Sequence, residues 1–222
     1  MCGSRWKRRR PSRRRSPTTS GSPRRCGRVL RSHLRPLIQG SLSIVVCYAL
    51  FYIATVYTLG YGVQALGIPR VRFLEMLCVA IVLMAVATPV SAALADRIGR
   101  RPVLLAAAIA AFAVGLAMPA LLAQGEGGTL AFLAVALGVM GLTFAPLGAL
   151  LPELFPTPLR YTGAASTYNL GGILGASLAP SLAQILEARG GVAWVGYYIA
   201  AAAVVSFLAV LSMRETRHGA FD

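Results

Sequence analysis

Four charged side chains and a glycine stand together in the segment ADRIGRR, between two long apolar stretches of the sequence. Asp96 precedes Arg97, and after Gly99 follow Arg100 and Arg101. A carboxylate in such a cationic segment can form an ion pair or contact the positively polarised N-terminus of a helix. The chemistry that these residues support is therefore electrostatic rather than bond-breaking.

Tyrosines and small polar residues interrupt the first apolar stretch. At about 100° per residue, three of them share one helical face and three fall nearly opposite: Tyr48, Tyr52 and Thr55, and Tyr57, Tyr61 and Gln64. One set can line a cavity while the other meets a membrane interface, where aromatic belts are common. Core packing of the tyrosines is the alternative.

A later stretch carries small residues at every fourth position: Thr167, Gly171, Gly175 and Ala179. Small residues at this spacing let helices approach closely in a membrane, so we expect a helix-packing stripe. A nucleotide-binding loop would need a preceding strand, and none is predicted. The amide of Asn169, in the same stretch, serves either a hydrogen bond between helices or contact with a small molecule.

The elements that position these residues follow from the distribution of charge. The 222 residues are 56% hydrophobic with a mean hydropathy of +0.66, and six uncharged intervals of at least 20 residues follow one another. About 20 residues of helix cross roughly 30 Å of hydrocarbon. The sequence therefore predicts an all-α polytopic membrane protein. Its six expected transmembrane helices are 39–62, 73–94, 103–123, 129–151, 163–186 and 192–213.

The loops predict an orientation. An even number of spans places both termini on one side, together with the basic leader and Arg97, Arg100, Arg101, Arg160, Arg214 and Arg217. The opposite loops contain only Arg70, Arg72 and Arg189. Since positive loops stay inside, both termini are expected in the cytoplasm.

Outside the bundle, expected at 37–216, lie a leader at 1–36 and a short cytoplasmic tail at 217–222. Residues 1–28 contain 10 Arg and 1 Lys and almost no apolar side chains, which is typical of a disordered segment. The leader could contact anionic lipid or nucleic acid, remain a solvated tail, or result from a misread reading frame. We expect membrane lipid, and no nucleic acid, as a partner.

No constellation in the sequence indicates an enzyme. The cysteines Cys2, Cys26, Cys47 and Cys78 have no zinc-ligand spacing, and His33 and His218 stand alone. No Ser/His/Asp or Cys/His arrangement and no phosphate-binding loop occurs. We expect no metal and no cofactor.

Two motifs carry a family resemblance. LADRIGRRPVLL resembles the signature loop of the major facilitator superfamily. LPELFPTPLRYTGAASTYNLGGILGASLAP, at 151–180, resembles the tenth-to-eleventh helix region of its metabolite:proton symporters. These transporters have twelve helices in two homologous halves, and this chain resembles the C-terminal half, with its first span matching the seventh helix.

The resemblance implies roles for individual residues. Its conformational-switch motif corresponds to Asp96, Arg97, Gly99, Arg100, Arg101, Glu153 and Arg160. Asp96 would latch onto a helix of the opposite half, while the arginines pair locally, with Glu153 as a candidate partner because it ends a helix on the same side. The alternative is that these charges only orient loops. The seventh helix lines the central cavity of the superfamily, so Tyr48, Tyr52 and Thr55, with Asn169, are substrate-cavity candidates.

The function that the resemblance implies is proton symport of a small organic acid or zwitterionic metabolite across the plasma (inner) membrane, with an N-terminal six-helix half as partner. The chain would be a truncated piece or one component of a split protein. All seven acids lie near expected helix ends or in the tail: Glu75, Asp96, Glu126, Glu153, Glu187, Glu215 and Asp222. This half is thus not expected to carry the proton alone. The alternatives are a dimerising half-transporter and a non-transport membrane protein whose Arg-rich arm binds anionic lipid or nucleic acid.

Overall fold

Six long apolar helices make up the computed structural model, which describes residues 33–213. They are α1 (Leu34–Gln64), α2 (Arg70–Ile98), α3 (Arg100–Leu122), α4 (Glu126–Glu153), α5 (Thr157–Gly190) and α6 (Val192–Leu211). Each is long and apolar enough to cross a membrane, as predicted. The predicted tail, and the leader apart from residues 33–36, lie outside the described residues.

The helices extend past the apolar intervals into the charged segments, so the connections are shorter than predicted. The expected loop from Asp96 to Arg101 is wrong: α2 continues to Ile98, and α3 begins at Arg100. Gly99 alone breaks the helix, with φ of 103°, a conformation that residues with a Cβ rarely adopt. The charged side chains therefore lie on the last and first turns of two helices.

Two of the helices contain a π-helical turn, at Ile53–Tyr57 in α1 and at Ile173–Ser177 in α5. A π turn accommodates an extra residue, which rotates all later side chains by about 100° about the helix axis relative to an unbroken α-helix. The predicted opposition of the two polar faces of α1 assumed an unbroken helix. That assumption is wrong, because the π turn lies between Tyr52 and Thr58.

The helices pack through small residues and hydroxyl groups. Glycines bring α3 and α6 together, since a Cβ on Gly115 would lie 2.7 Å from the carbonyl oxygen of Gly196. Ser91 on α2 donates to the carbonyl of Leu142 on α4. Between α1 and α6, Ser206 donates to the carbonyl of Leu42 at 2.8 Å. Such contacts replace the hydrophobic driving force that lipid does not supply.

The bundle has two ends. Residues 33 and 213, the Gly99 turn and residues 154–156 lie at what we call the tail end; residues 65–69, 123–125 and Gly191 lie at the distal end. The helices differ in burial: the most apolar window of α2 is 11% buried and that of α5 is 22%, against 44–61% in the other four. Packing within the described bundle therefore leaves large apolar faces of α2 and α5 uncovered.

Candidate functional site

The tail end of the bundle gathers the charged residues of the predicted switch motif. Asp96, Gly99 and Arg100, with Ala95, line a cleft of about 260 Å³. Arg100 Nη1 donates to both carboxylate oxygens of Glu153, which joins the start of α3 to the end of α4. Their side chains are 25% and 18% exposed, so this pair is shielded more than a surface ion pair.

Arg101 contacts a helix end instead of an acid. Its Nη2 donates to the carbonyl of Leu211, the last residue of α6, where carbonyls lack helical partners and the helix dipole favours a cation. Arg160, at the start of the α-helical part of α5, is half-buried. Within residues 33–213, the buried Nε atoms of both arginines lack a hydrogen-bond acceptor.

Asp96 and Arg97 differ from their neighbours in the motif. Both side chains are exposed on the last turns of α2. Neither forms a hydrogen bond or an ion pair with any residue of the described part of the chain. The structure thus gives Arg100 and Arg101 local partners and leaves the Asp96 side chain exposed at the cleft.

The four substrate-cavity candidates make different local contacts. Thr55 Oγ1 donates to the carbonyl of Phe51, and Asn169 Nδ2 donates to that of Ala165, so both groups bond within their own helices. The Tyr52 ring packs edge-on against Phe51. Tyr48 is half-buried and packs towards the glycines of α5.

The predicted packing stripe lies along α1. A Cβ on Gly175 would lie 2.7 Å from the carbonyl oxygen of Val45, and one on Gly171 would lie 3.0 Å from that of Ser41. Ala179 is fully buried. The α1 and α5 backbones therefore approach too closely at Gly171 and Gly175 to accommodate a side chain without movement.

A polar pocket at the distal end was missed from the sequence. We call it the distal pocket; its volume is about 400 Å³, and it is lined by Val56, Tyr57, Gly60, Tyr61, Gln64, Ala65, Gln184 and Glu187. The tyrosines were interpreted as a possible membrane-interface set and the acid as a helix-end charge. The available signal was the i, i+3 spacing of Gln184 and Glu187, which places two polar groups on one face of α5.

The described residues offer no metal centre. No three His, Cys, Asp or Glu side chains among residues 33–213 lie close enough together to hold a metal ion. The two cysteines of this region, Cys47 and Cys78, are unpaired. The local chemistry consists of ion pairs, hydrogen bonds and aromatic rings.

Comparison with known proteins gives the chain its relatives. It is 44% identical, over 86% of its length, to the inner membrane metabolite transport protein YhjE of Escherichia coli (strain K12), and 39% identical to a putative metabolite transport protein of Haemophilus influenzae. A proline/betaine transporter of Salmonella typhimurium is 28% identical over 85% of the chain. No solved structure matches the chain.

These relatives are longer proteins. The chain spans 45% of the Escherichia coli relative, 46% of the Haemophilus influenzae one and 38% of the Salmonella typhimurium one, and it aligns to their C-terminal part. The family model described as "Sugar (and other) transporter" matches residues 26–219. The chain is thus a multi-pass membrane protein that belongs to the sugar (and other) transporter family of the major facilitator superfamily, a family of transporters and not of enzymes.

Proposed function

We propose that this chain forms the C-terminal six-helix half of a transporter that carries a small organic acid or zwitterionic metabolite across the inner membrane by proton symport. The observation that carries the proposal is the similarity to metabolite transport proteins along 86% of the chain. The relatives named for proline, betaine and ectoine favour a zwitterion with a positively charged nitrogen. Binding then occurs between two bundles near the membrane midplane, and transport proceeds by their rocking.

The second bundle is expected to cover the exposed faces of α2 and α5. These two helices leave most of their apolar surface outside the described bundle, while Asp96 at the end of α2 lacks a partner there. A carboxylate at this position can dock on the N-terminus of a helix in the opposite bundle. In this arrangement Asp96 would latch onto the opposite half. The arginines of the switch motif, including Arg160, would pair locally, with Glu153 as a candidate partner.

The proposed substrate cavity lies between the bundles, with Tyr48, Tyr52, Thr55 and Asn169 as its candidates in this half. The group that takes up the proton is expected in the opposite half, because the acids of this chain lie near helix ends. Both termini are proposed to lie in the cytoplasm, which makes the tail end cytoplasmic.

The test is uptake of radiolabelled glycine betaine and proline by cells that express the chain together with the N-terminal six helices of the Escherichia coli relative. We expect uptake that needs both halves and that collapses when a protonophore removes the proton gradient. Each half expressed alone is the control. Absence of transport for a broad panel of organic acids and zwitterions, with both halves in the membrane, would contradict the proposal.

A further inference from the structure

The distal pocket is lined by residues that belong neither to the switch motif nor to the packing stripe. It lies between the second half of α1 and the last turns of α5, and it opens at the distal end of the bundle. Its volume of about 400 Å³ falls within the range of about 300–1,000 Å³ typical of small-molecule sites. A metabolite-sized ligand therefore fits.

Glu187 supplies a negative charge to this pocket. The carboxylate is half-buried on α5, and no arginine of the described residues 33–213 forms an ion pair with it. Two other acids at this end of the bundle show the contrast, since Glu75 and Glu126 both form ion pairs with Arg72. A half-buried carboxylate without a cation is costly, so a bound cation would stabilise it.

Tyr57 and Tyr61 supply aromatic surface beside this charge. Their rings are nearly parallel, with 6.1 Å between centroids and 19° between planes. Aromatic faces attract cations through the ring quadrupole, and quaternary ammonium groups use this interaction repeatedly. A small inorganic cation prefers a shell of oxygen ligands instead, so the paired rings favour an organic cation.

The hydroxyl of Tyr57 adds a second, independent sign of a ligand site. Tyr57 is 4% exposed, and its buried Oη forms no well-aligned hydrogen bond within residues 33–213. The neighbouring carboxylate is that of Glu187. Buried hydroxyls are normally satisfied, so a poorly aligned one that lines a cavity beside a carboxylate indicates that these two groups adjust when a ligand binds.

We propose that the distal pocket is a binding subsite for the ammonium group of a small zwitterionic metabolite, with Glu187 as its counter-charge and Tyr57 and Tyr61 as its aromatic wall. The side-chain amides of Gln64 and Gln184 offer donors for the carboxylate end of the same molecule. This subsite would receive the substrate before it reaches the midplane, and it rests on the transport function proposed above.

The test compares two ligands that differ in one atom. The 222-residue chain is placed in lipid nanodiscs, and binding of radiolabelled glycine betaine is measured by equilibrium dialysis. The competitor is 3,3-dimethylbutyrate, which has the shape of betaine but an uncharged carbon in place of the nitrogen. We expect betaine to bind and dimethylbutyrate not to displace it. Equal competition by the two compounds, or no betaine binding by the wild-type chain, would overturn the subsite.

Substitutions in the distal pocket test which residues bind betaine. Glu187→Gln removes the charge and is expected to weaken betaine binding by at least about tenfold, and Tyr61→Leu by about three- to tenfold. Glu187→Asp, which keeps the charge, should retain part of the affinity. Matched controls are Glu75→Gln, an acid at the same end of the bundle, and Tyr197→Leu, an exposed tyrosine on α6; both should bind as wild type.

Different results would contradict the betaine subsite and the proposed transport function. Wild-type affinity in Glu187→Gln, with the helical content of the variant unchanged by circular dichroism, overturns the subsite even if the reassembled transporter still takes up substrate. Conversely, a two-half protein that transports nothing, while the chain alone still binds betaine through Glu187, contradicts the transport proposal and leaves the subsite standing.

Discussion

At the residue scale, the structure divides the charges of ADRIGRR into two groups. Arg100 and Arg101 are engaged with Glu153 and the end of α6, whereas Asp96 and Arg97 are exposed and lack partners within residues 33–213. The first group can contribute to the stability of this bundle. The second group forms no hydrogen bond or ion pair within these residues, so its side chains are available to molecules or segments beyond them.

The ion pair between Arg100 and Glu153 predicts a stability effect. Arg100→Gln removes the Nη1 group that donates to both carboxylate oxygens of the partly buried Glu153, and we expect a loss of about 1–2 kcal/mol in the free energy of unfolding. Arg97→Gln is the matched control, because Arg97 is exposed and forms no ion pair within residues 33–213. Thermal unfolding in detergent measures both variants; equal melting temperatures would show that the pair contributes nothing.

For Asp96 we expect the opposite result, an effect on transport and none on stability. Asp96→Asn should leave the melting temperature of the 222-residue chain unchanged, since the carboxylate forms no hydrogen bond or ion pair within residues 33–213. In the reassembled two-half transporter, the same change should reduce substrate uptake by about tenfold, because a contact between the halves is lost. Membrane insertion, checked by immunoblot, should be normal. Wild-type uptake by this variant would contradict the latch.

At the element scale, α1 and α5 both contain a π-helical turn and pack closely against each other. The π turns lie at Ile53–Tyr57 and Ile173–Ser177. The two backbones approach closely where Gly171 and Gly175 face α1. The π turn in α1 changes which side chains share a face, and the polar residues after it line the distal pocket with Glu187 of α5. The register of these two helices thus determines which polar groups meet.

Glycine substitutions test this close approach. A Cβ on Gly175 would lie 2.7 Å from the backbone oxygen of Val45, which cannot rotate away, so Gly175→Ala should destabilise the bundle by about 1–3 kcal/mol. Gly138→Ala is the control: nothing lies within 4 Å of its Cβ position, and alanine favours a helix. Thermal unfolding of both variants measures the difference in stability. A Gly175→Ala chain as stable as Gly138→Ala would contradict the close packing of α1 and α5.

At the scale of the whole molecule, burial and charge are distributed unevenly. Four helices bury about half of their apolar windows inside the bundle, while α2 and α5 bury far less. Arginines concentrate at the tail end, including Arg97, Arg100, Arg101 and Arg160. The uncovered helices offer a surface for the proposed second half, and the charge asymmetry supports the proposed orientation.

The orientation is tested with two fusions. Green fluorescent protein fused after Asp222 should fluoresce, since it folds in the cytoplasm, and alkaline phosphatase fused after Gly125 at the distal end should be active, since it needs the periplasm. Exchanging the two reporters at the same positions is the control and should give two inactive fusions. An active phosphatase after Asp222 would reverse the proposed topology.

The amino-acid sequence was sufficient to predict the class of the protein and the number of its described spans. Hydrophobic length and the exclusion of charge from hydrocarbon act locally along the chain, so six uncharged intervals were sufficient to predict six helices, and two motifs were sufficient to indicate the family. Which polar groups meet depends on the packed helices. The resemblance offered Glu153 as a partner for the arginines, but the packing determines that Arg100 is the one that binds it. The single-residue turn at Gly99 and the π turns also depend on how neighbouring helices pack, and hydrophobic periodicity carries no information about that packing. For the same reason Glu187 could be identified only as a helix-end charge from the sequence, and its place opposite Tyr57 became visible when α5 was packed against α1.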